Sequence, residues 1–149
     1  MTKNKQRISL ILFLITFCCQ FGIAQVAIPT TETEKPFFFI QFSDPQFGFI
    51  DDNKSITAEV EAMDKTVSII NRLKPPFVVI TGDFVNDSKN EVQIEAYKKA
   101  IGKIDPNIKI YMIPGKHDIS SSTQANIDAY KRNYGDTRFS FQYGDCALV

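Results

Sequence analysis

Three polar segments each follow an apolar run, and that placement restricts the fold more than any other feature of the chain. FFFIQF (37–42) leads into Ser43-Asp44-Pro45-Gln46. FVVI (77–80) leads into Thr81-Gly82-Asp83, and IKIYMI (108–113) into Pro114-Gly115-Lys116-His117-Asp118. Runs this short and this rich in β-prone residues predict strands, and open α/β sheets collect ligands at the carboxyl ends of their strands. Carboxylates, an amide oxygen and an imidazole are thereby brought to one sheet edge, a set suited to a hard metal ion and phosphate-ester chemistry.

The segments between the runs read as helices. After the polar loop Asp51–Ser55, apolar residues recur at Ile56, Val60, Met63, Val67, Ile70 and Leu73, in steps of three and four, until Pro75-Pro76 stops the helix. A second helix is predicted over Asn90–Lys103, with Val92, Ala96, Tyr97, Ala100 and Ile104 inward. A third runs from Thr123 to Tyr134, capped by Ser121 or Ser122 and stopped at Gly135. Phe139–Tyr143 alternates as a strand does. The order β-α-β-α-β-α-β predicts an α/β fold with a mainly parallel sheet and helices on both faces. The closing apolar stretch, Ala147–Val149, suggests the front part of a longer domain.

The 149 residues suit one domain, and 17 basic against 17 acidic residues give no basic face for a nucleic-acid partner. Lys3, Lys5 and Arg7, the apolar run Ile8–Phe17 and the small pair Gly22 and Ala24 fit a secretory signal over 1–24. Residues 25–36 follow as a linker. Export to the periplasm or the extracellular space is therefore expected, with no stable membrane span after cleavage. The mature chain would keep Cys146 alone, which excludes an internal disulfide.

Asp44 and Gln46 flank Pro45, and residues i and i+2 of an extended segment point the same way, toward one ion. Asp83 follows a glycine that permits a sharp turn, and a carboxylate there is able to bridge two metals roughly 3.5–4 Å apart. His117, in a Pro-Gly turn, can protonate a leaving group or bind phosphoryl oxygens.

FSDPQFG, TGDFVND and PGKHD resemble the first three motifs of calcineurin-like metallophosphoesterases: Asp-x-His, Gly-Asp and Gly-Asn-His-Asp/Glu. The Asp-Pro-Gln form is similar to a branch with Gln in place of the first His. The resemblance runs from about Phe38 and implies a partial metallophosphoesterase-type α/β sandwich over 37–149. It implies a hydrolase acting on phosphate esters with two divalent ions, whether Mn, Fe, Zn or Mg. It makes Asp44 and Gln46 ligands of one ion and Asp83 the shared ligand. His117 becomes the catalytic acid or phosphate contact, and Asp118 the group that orients it.

Two departures stand out. Lys116 occupies the position of the family's Asn ligand, and a protonated ammonium has no lone pair to give a cation. The family's later His ligands have no counterpart, since His117 is the only His. The sequence thus carries two readings: the N-terminal part of a two-metal phosphoesterase, or a non-catalytic relic that binds at most one metal. A nucleotide-binding α/β domain is disfavoured, because neither GxGxxG nor GxxxxGK[ST] is present.

Overall fold

The computed structural model describes residues 36–149. The expected signal peptide, and the expected linker up to residue 35, lie outside the described residues. The elements in chain order are β1 (Ile40–Phe42), α1 (Thr57–Leu73), β2 (Phe77–Thr81), α2 (Glu91–Ile101), β3 (Lys109–Ile113), α3 (Gln124–Tyr134), β4 (Phe141–Tyr143) and β5 (Cys146–Leu148). This is the predicted alternation with one strand added.

β1, β2 and β3 form a parallel sheet in that order, with Phe42 beside Ile80 and Ile80 beside Met112. β2 is central and nearly all buried, as its apolar sequence requires; β1 and β3 are edges and only half-buried. The first strand is shorter than predicted because Phe38 and Phe39 stay exposed outside the ladder.

Strand order follows chain order without reversal, so right-handed crossovers place α1 and α2 on one face. Packing agrees. Ile40, Phe42, Val78, Ile80, Ile110 and Met112 share one sheet face and pack in the same core as Met63, Val67 and Ile70 of α1 and Ile94, Tyr97 and Ala100 of α2. Tyr130 of α3 belongs to this core as well. The expectation of helices on both faces is corrected: the other face is covered by aromatic side chains. Phe141 of β4 stacks on Tyr111 with centroids 3.9 Å apart, and Phe77 meets both Phe141 and Tyr143 edge-on. β4 pairs antiparallel with β5 and does not extend the parallel sheet. Gly144, at φ 56°, makes the tight reversal between the two strands.

α1 ends as predicted: Lys74 turns left-handed at φ 50°, its N–H bonds Ile70 O at 2.9 Å, and two prolines follow. The phase of α2 differs from expectation. Val92 is 68% exposed, and Gln93, Ile94, Tyr97 and Ala100 are buried. The reason is polar: Gln93 turns inward to bond loop groups near the site, and it carries the buried stripe with it. Asn90 caps α2 by accepting from Val92 N and Gln93 N. Thr123, not Ser121 or Ser122, caps α3, accepting from Asn126 N; Ser121 Oγ instead takes the Asn126 amide at 2.8 Å. Among the described residues no helix is long and apolar enough to cross a membrane.

Candidate active site

All three motifs leave the sheet at the carboxyl ends of β1, β2 and β3, and backbone bonds draw the loops together. Asp44 N donates to Gly82 O at 3.1 Å, Gln46 N to Asp83 O at 2.9 Å and Phe47 N to Phe84 O at 3.1 Å. The β1 loop therefore runs beside the β2 loop past the end of the ladder, through a parallel bridge between Phe47 and Val85. Asp44, Gln46 and Asp83 have φ of 55°, 33° and 45°, so the extended Asp44–Gln46 backbone expected from the sequence is corrected: the chain has left the strand and turns here. Left-handed backbone is uncommon for residues with a Cβ and persists where the surroundings enforce it, most often at functional sites.

Close backbone approach joins the second and third loops. A Cβ on Gly82 would lie 2.7 Å from the Gly115 Cα, and a Cβ on Gly115 would run into the Asp83 backbone and carboxylate. Only glycines permit this contact. It seats the third loop on Asp83, whose Oδ1 accepts the His117 backbone N–H at 2.8 Å.

Asp118 holds the two loops from beneath. Its Oδ1 accepts Phe84 N at 2.8 Å and Val85 N at a longer 3.4 Å, and its Oδ2 accepts Gly115 N at 2.8 Å. Burial pushes its carboxyl up, and the three backbone donors pull partly the other way. The Tyr130 and Tyr134 hydroxyls line the same small cavity, of about 50 Å³, and have no hydrogen-bond partner among the described residues. Burial and the neighbouring Asp118 carboxylate push both phenols up, so they stay neutral.

The imidazole is oriented from another direction than the sequence suggested. His117 Nδ1 lies 2.8 Å from Asn86 O, a carbonyl that can only accept, so Nδ1 carries a proton and Nε2 is left for chemistry. Asn86 thus takes the orienting place first given to Asp118, whose oxygens are committed to backbone N–H groups. Asn86 also receives Gln46 Nε2 on its Oδ1 at 3.3 Å and donates to Asn53 Oδ1 at 2.9 Å. Gln93, 1% exposed, completes the network by donating to Asn53 Oδ1 at 2.7 Å and accepting from Asp87 N at 2.8 Å. Motif reading missed Asn53, Asn86 and Gln93. For Gln93 the signal was present, since it stands in step with Tyr97, Ala100 and Ile104 at spacings of four and three.

Asp44, Gln46 and Asp83 offer two carboxylates and an amide oxygen, hard donors suited to a divalent cation. The Asp44 carboxylate, Gln46 Oε1 and Asp83 Oδ2 accept no hydrogen bond among the described residues. Among those residues there is also no cluster of three His, Cys, Asp or Glu side chains that could hold a metal. Lys116 does not fit a second ion. It is exposed, and with Asn86, Asp87, Ser88, Lys89, His117 and Ser120 it lines an open cavity of about 480 Å³.

The profile of the calcineurin-like phosphoesterase family matches residues 39–148, and the chain belongs to that family. Among curated proteins it is similar to those named serine/threonine-protein phosphatase CPPED1. The Danio rerio protein is 32% identical over 129 residues, which cover 76% of this chain and 42% of the relative. The Homo sapiens protein is 32% identical over 130 residues, covering 76% and 41%. The Mus musculus protein is 27% identical over 129 residues, covering 76% and 41%. The chain spans about two fifths of the length of these relatives.

Proposed function

We propose that this chain contributes the metal-gathering and acid-bearing part of a metal-dependent phosphoesterase. The observation that carries the reading is the backbone at the three expected donors. Asp44, Gln46 and Asp83 are all held left-handed where two loops are laced together. Asp44, Gln46 and Asp83 would hold one divalent ion, which when bound supplies Lewis-acid polarisation of a phosphoryl oxygen. His117 keeps Nδ1–H on Asn86 O and presents Nε2; as an imidazolium it protonates the departing oxygen of the ester. Asp83 fixes that residue from the backbone side, and Asp118 keeps both loops in register. The names of the relatives point to phosphorylated serine or threonine as the substrate class. Export through a signal at residues 1–24 is part of the proposal and rests on the sequence pattern; N-terminal sequencing of exported protein beginning at Gln25 would support it.

A second reading is favoured by Lys116. With an ammonium at the family's Asn position and a single His in 149 residues, the second ion lacks donors here. The remaining ligands would then lie in sequence corresponding to the rest of the relatives' length, or the protein binds one ion without turnover. Hydrolysis of a chromogenic phosphate ester with added Mn²⁺ separates these. The 149 residues alone are expected to turn over little. In a form that supplies the later His ligands, Lys116→Asn should raise metal affinity and turnover, Asp83→Ala should remove turnover, and His117→Ala should lower turnover but spare metal binding. Robust Asp83-dependent turnover by the 149 residues alone would overturn the view that the distal ligands are needed.

A further inference from the structure

We propose that a chain of side-chain amides, running from the Asp87 backbone through Gln93, Asn53 and Asn86, turns Gln46 so that its oxygen and not its nitrogen faces the ion; this rests on the phosphoesterase reading above. A carboxamide is nearly symmetric in shape, and its hydrogen-bond partners decide which end is the oxygen. A backbone N–H can only donate. Asp87 N donates to Gln93 Oε1 at 2.8 Å, which leaves Gln93 Nε2 as a donor, and it donates to Asn53 Oδ1 at 2.7 Å. Asn86 Nδ2 donates to the same Asn53 oxygen at 2.9 Å. Asn86 Oδ1 is therefore left facing Gln46, where it accepts Nε2 at 3.3 Å. Gln46 Oε1 accepts nothing among the described residues and carries the lone pairs a cation needs.

The backbone around this chain of amides is held tightly. Gly48, at φ 98°, passes so close to Gln93 that a Cβ there would run into the Gln93 amide. Asn53 is left-handed at φ 62°, with its N–H on Gly48 O at 2.7 Å, and Asn86 N donates to Phe47 O at 3.0 Å. Reversing one amide sets donor against donor, or acceptor against acceptor, at the next, so a reversal propagates. Its end state turns Gln46 Nε2, which has no lone pair to give, toward the ion. Gln93 is thus a positioning residue that acts on a metal ligand through two other side chains. His117 is held by the Asn86 backbone carbonyl, so its tautomer does not depend on the sense of the amides.

Gln93→Glu sets the sense of the amides against simple charge. At pH 8 a carboxylate at position 93 still accepts the Asp87 N–H but offers Asn53 Oδ1 no proton, so Asn53, Asn86 and Gln46 must reverse in turn. Added negative charge alone would tighten cation binding. The amide chain predicts the opposite: Mn²⁺ binding to the whole chain, read from the electron paramagnetic resonance of free Mn²⁺, weakens about tenfold. Asn53→Ala should weaken it about tenfold as well, while Asn53→Asp keeps the acceptor and should retain or tighten it. Residue 53 is exposed, so these two variants decide the matter if a buried carboxylate at position 93 unfolds the protein, which a dispersed amide spectrum checks. With EDTA and no metal, the Gln46 side-chain NH₂ protons should exchange faster in Gln93→Glu and Asn53→Ala, and the His117 Cε1–H resonance should keep its shift. Binding undiminished in Gln93→Glu and Asn53→Ala, yet abolished by Asp83→Ala, overturns the amide chain and leaves the ion reading standing. No Mn²⁺ binding by the unmodified chain sinks the ion reading instead. The Gln46 proton exchange then decides the amide chain: a response to positions 93 and 53 supports it, and no response overturns it.

Discussion

Asp118 and Lys116 are two residues apart in one loop and meet opposite surroundings. Asp118 is 3% exposed and binds three backbone N–H groups from two loops. Lys116 is exposed on an open cavity and pairs with nothing among the described residues. Both belong to one motif in sequence, yet one is buried among backbone donors and the other faces an open cavity. Removing a buried acceptor strands its donors, and removing an exposed ammonium strands nothing.

That contrast sets the size of the first prediction. Asp118→Ala leaves Phe84, Val85 and Gly115 N–H groups without their acceptor and should cost about 3 kcal/mol or more of stability by urea denaturation. Lys116→Ala should change stability by no more than about 0.5 kcal/mol. Equal losses would break the comparison. Gly115→Ala comes next, since its Cβ would meet Asp83 backbone and carboxylate; a loss of about 2 kcal/mol, with weaker divalent-ion binding, is expected. Gln93→Leu keeps the volume but removes the bonds to Asp87 N and Asn53 Oδ1. It should cost about 1–2 kcal/mol, and hydrogen exchange at Asp87 should quicken while that at Ile80 stays slow. Val92→Ser, one residue away on the exposed side of α2, should stay within about 0.5 kcal/mol. A larger loss at Val92 than at Gln93 would restore the helix phase that apolar spacing alone suggests.

The three strands, the three helices and their order were legible because each apolar run is bounded by a polar motif or by proline. The strand ladder and the meeting of the three motifs follow from that alternation, given the handedness of parallel crossovers. Less of the site's wiring was legible. Asn86 orients His117 through its backbone carbonyl, a contact that side-chain identity cannot announce. Gln93 is hard to read from sequence because a polar residue on a helix ordinarily faces outward, and here the Asp87 N–H and the Asn53 amide oxygen find their partner inside. The hairpin of β4 and β5 covers a sheet face assigned to helices, because Phe139, Phe141 and Tyr143 meet Phe77 and Tyr111, and residue alternation alone does not say which sheet a strand joins.

Asp44, Gln46 and Asp83 are proposed to hold a divalent ion between the laced loops, with Lys116 denying a second. Electron paramagnetic resonance of Mn²⁺ titrated into the chain measures this directly. One Mn²⁺ per chain is predicted, lost in Asp83→Ala and in Asp44→Ala and retained in His117→Ala. Two tightly bound ions, or binding indifferent to both aspartates, would contradict it.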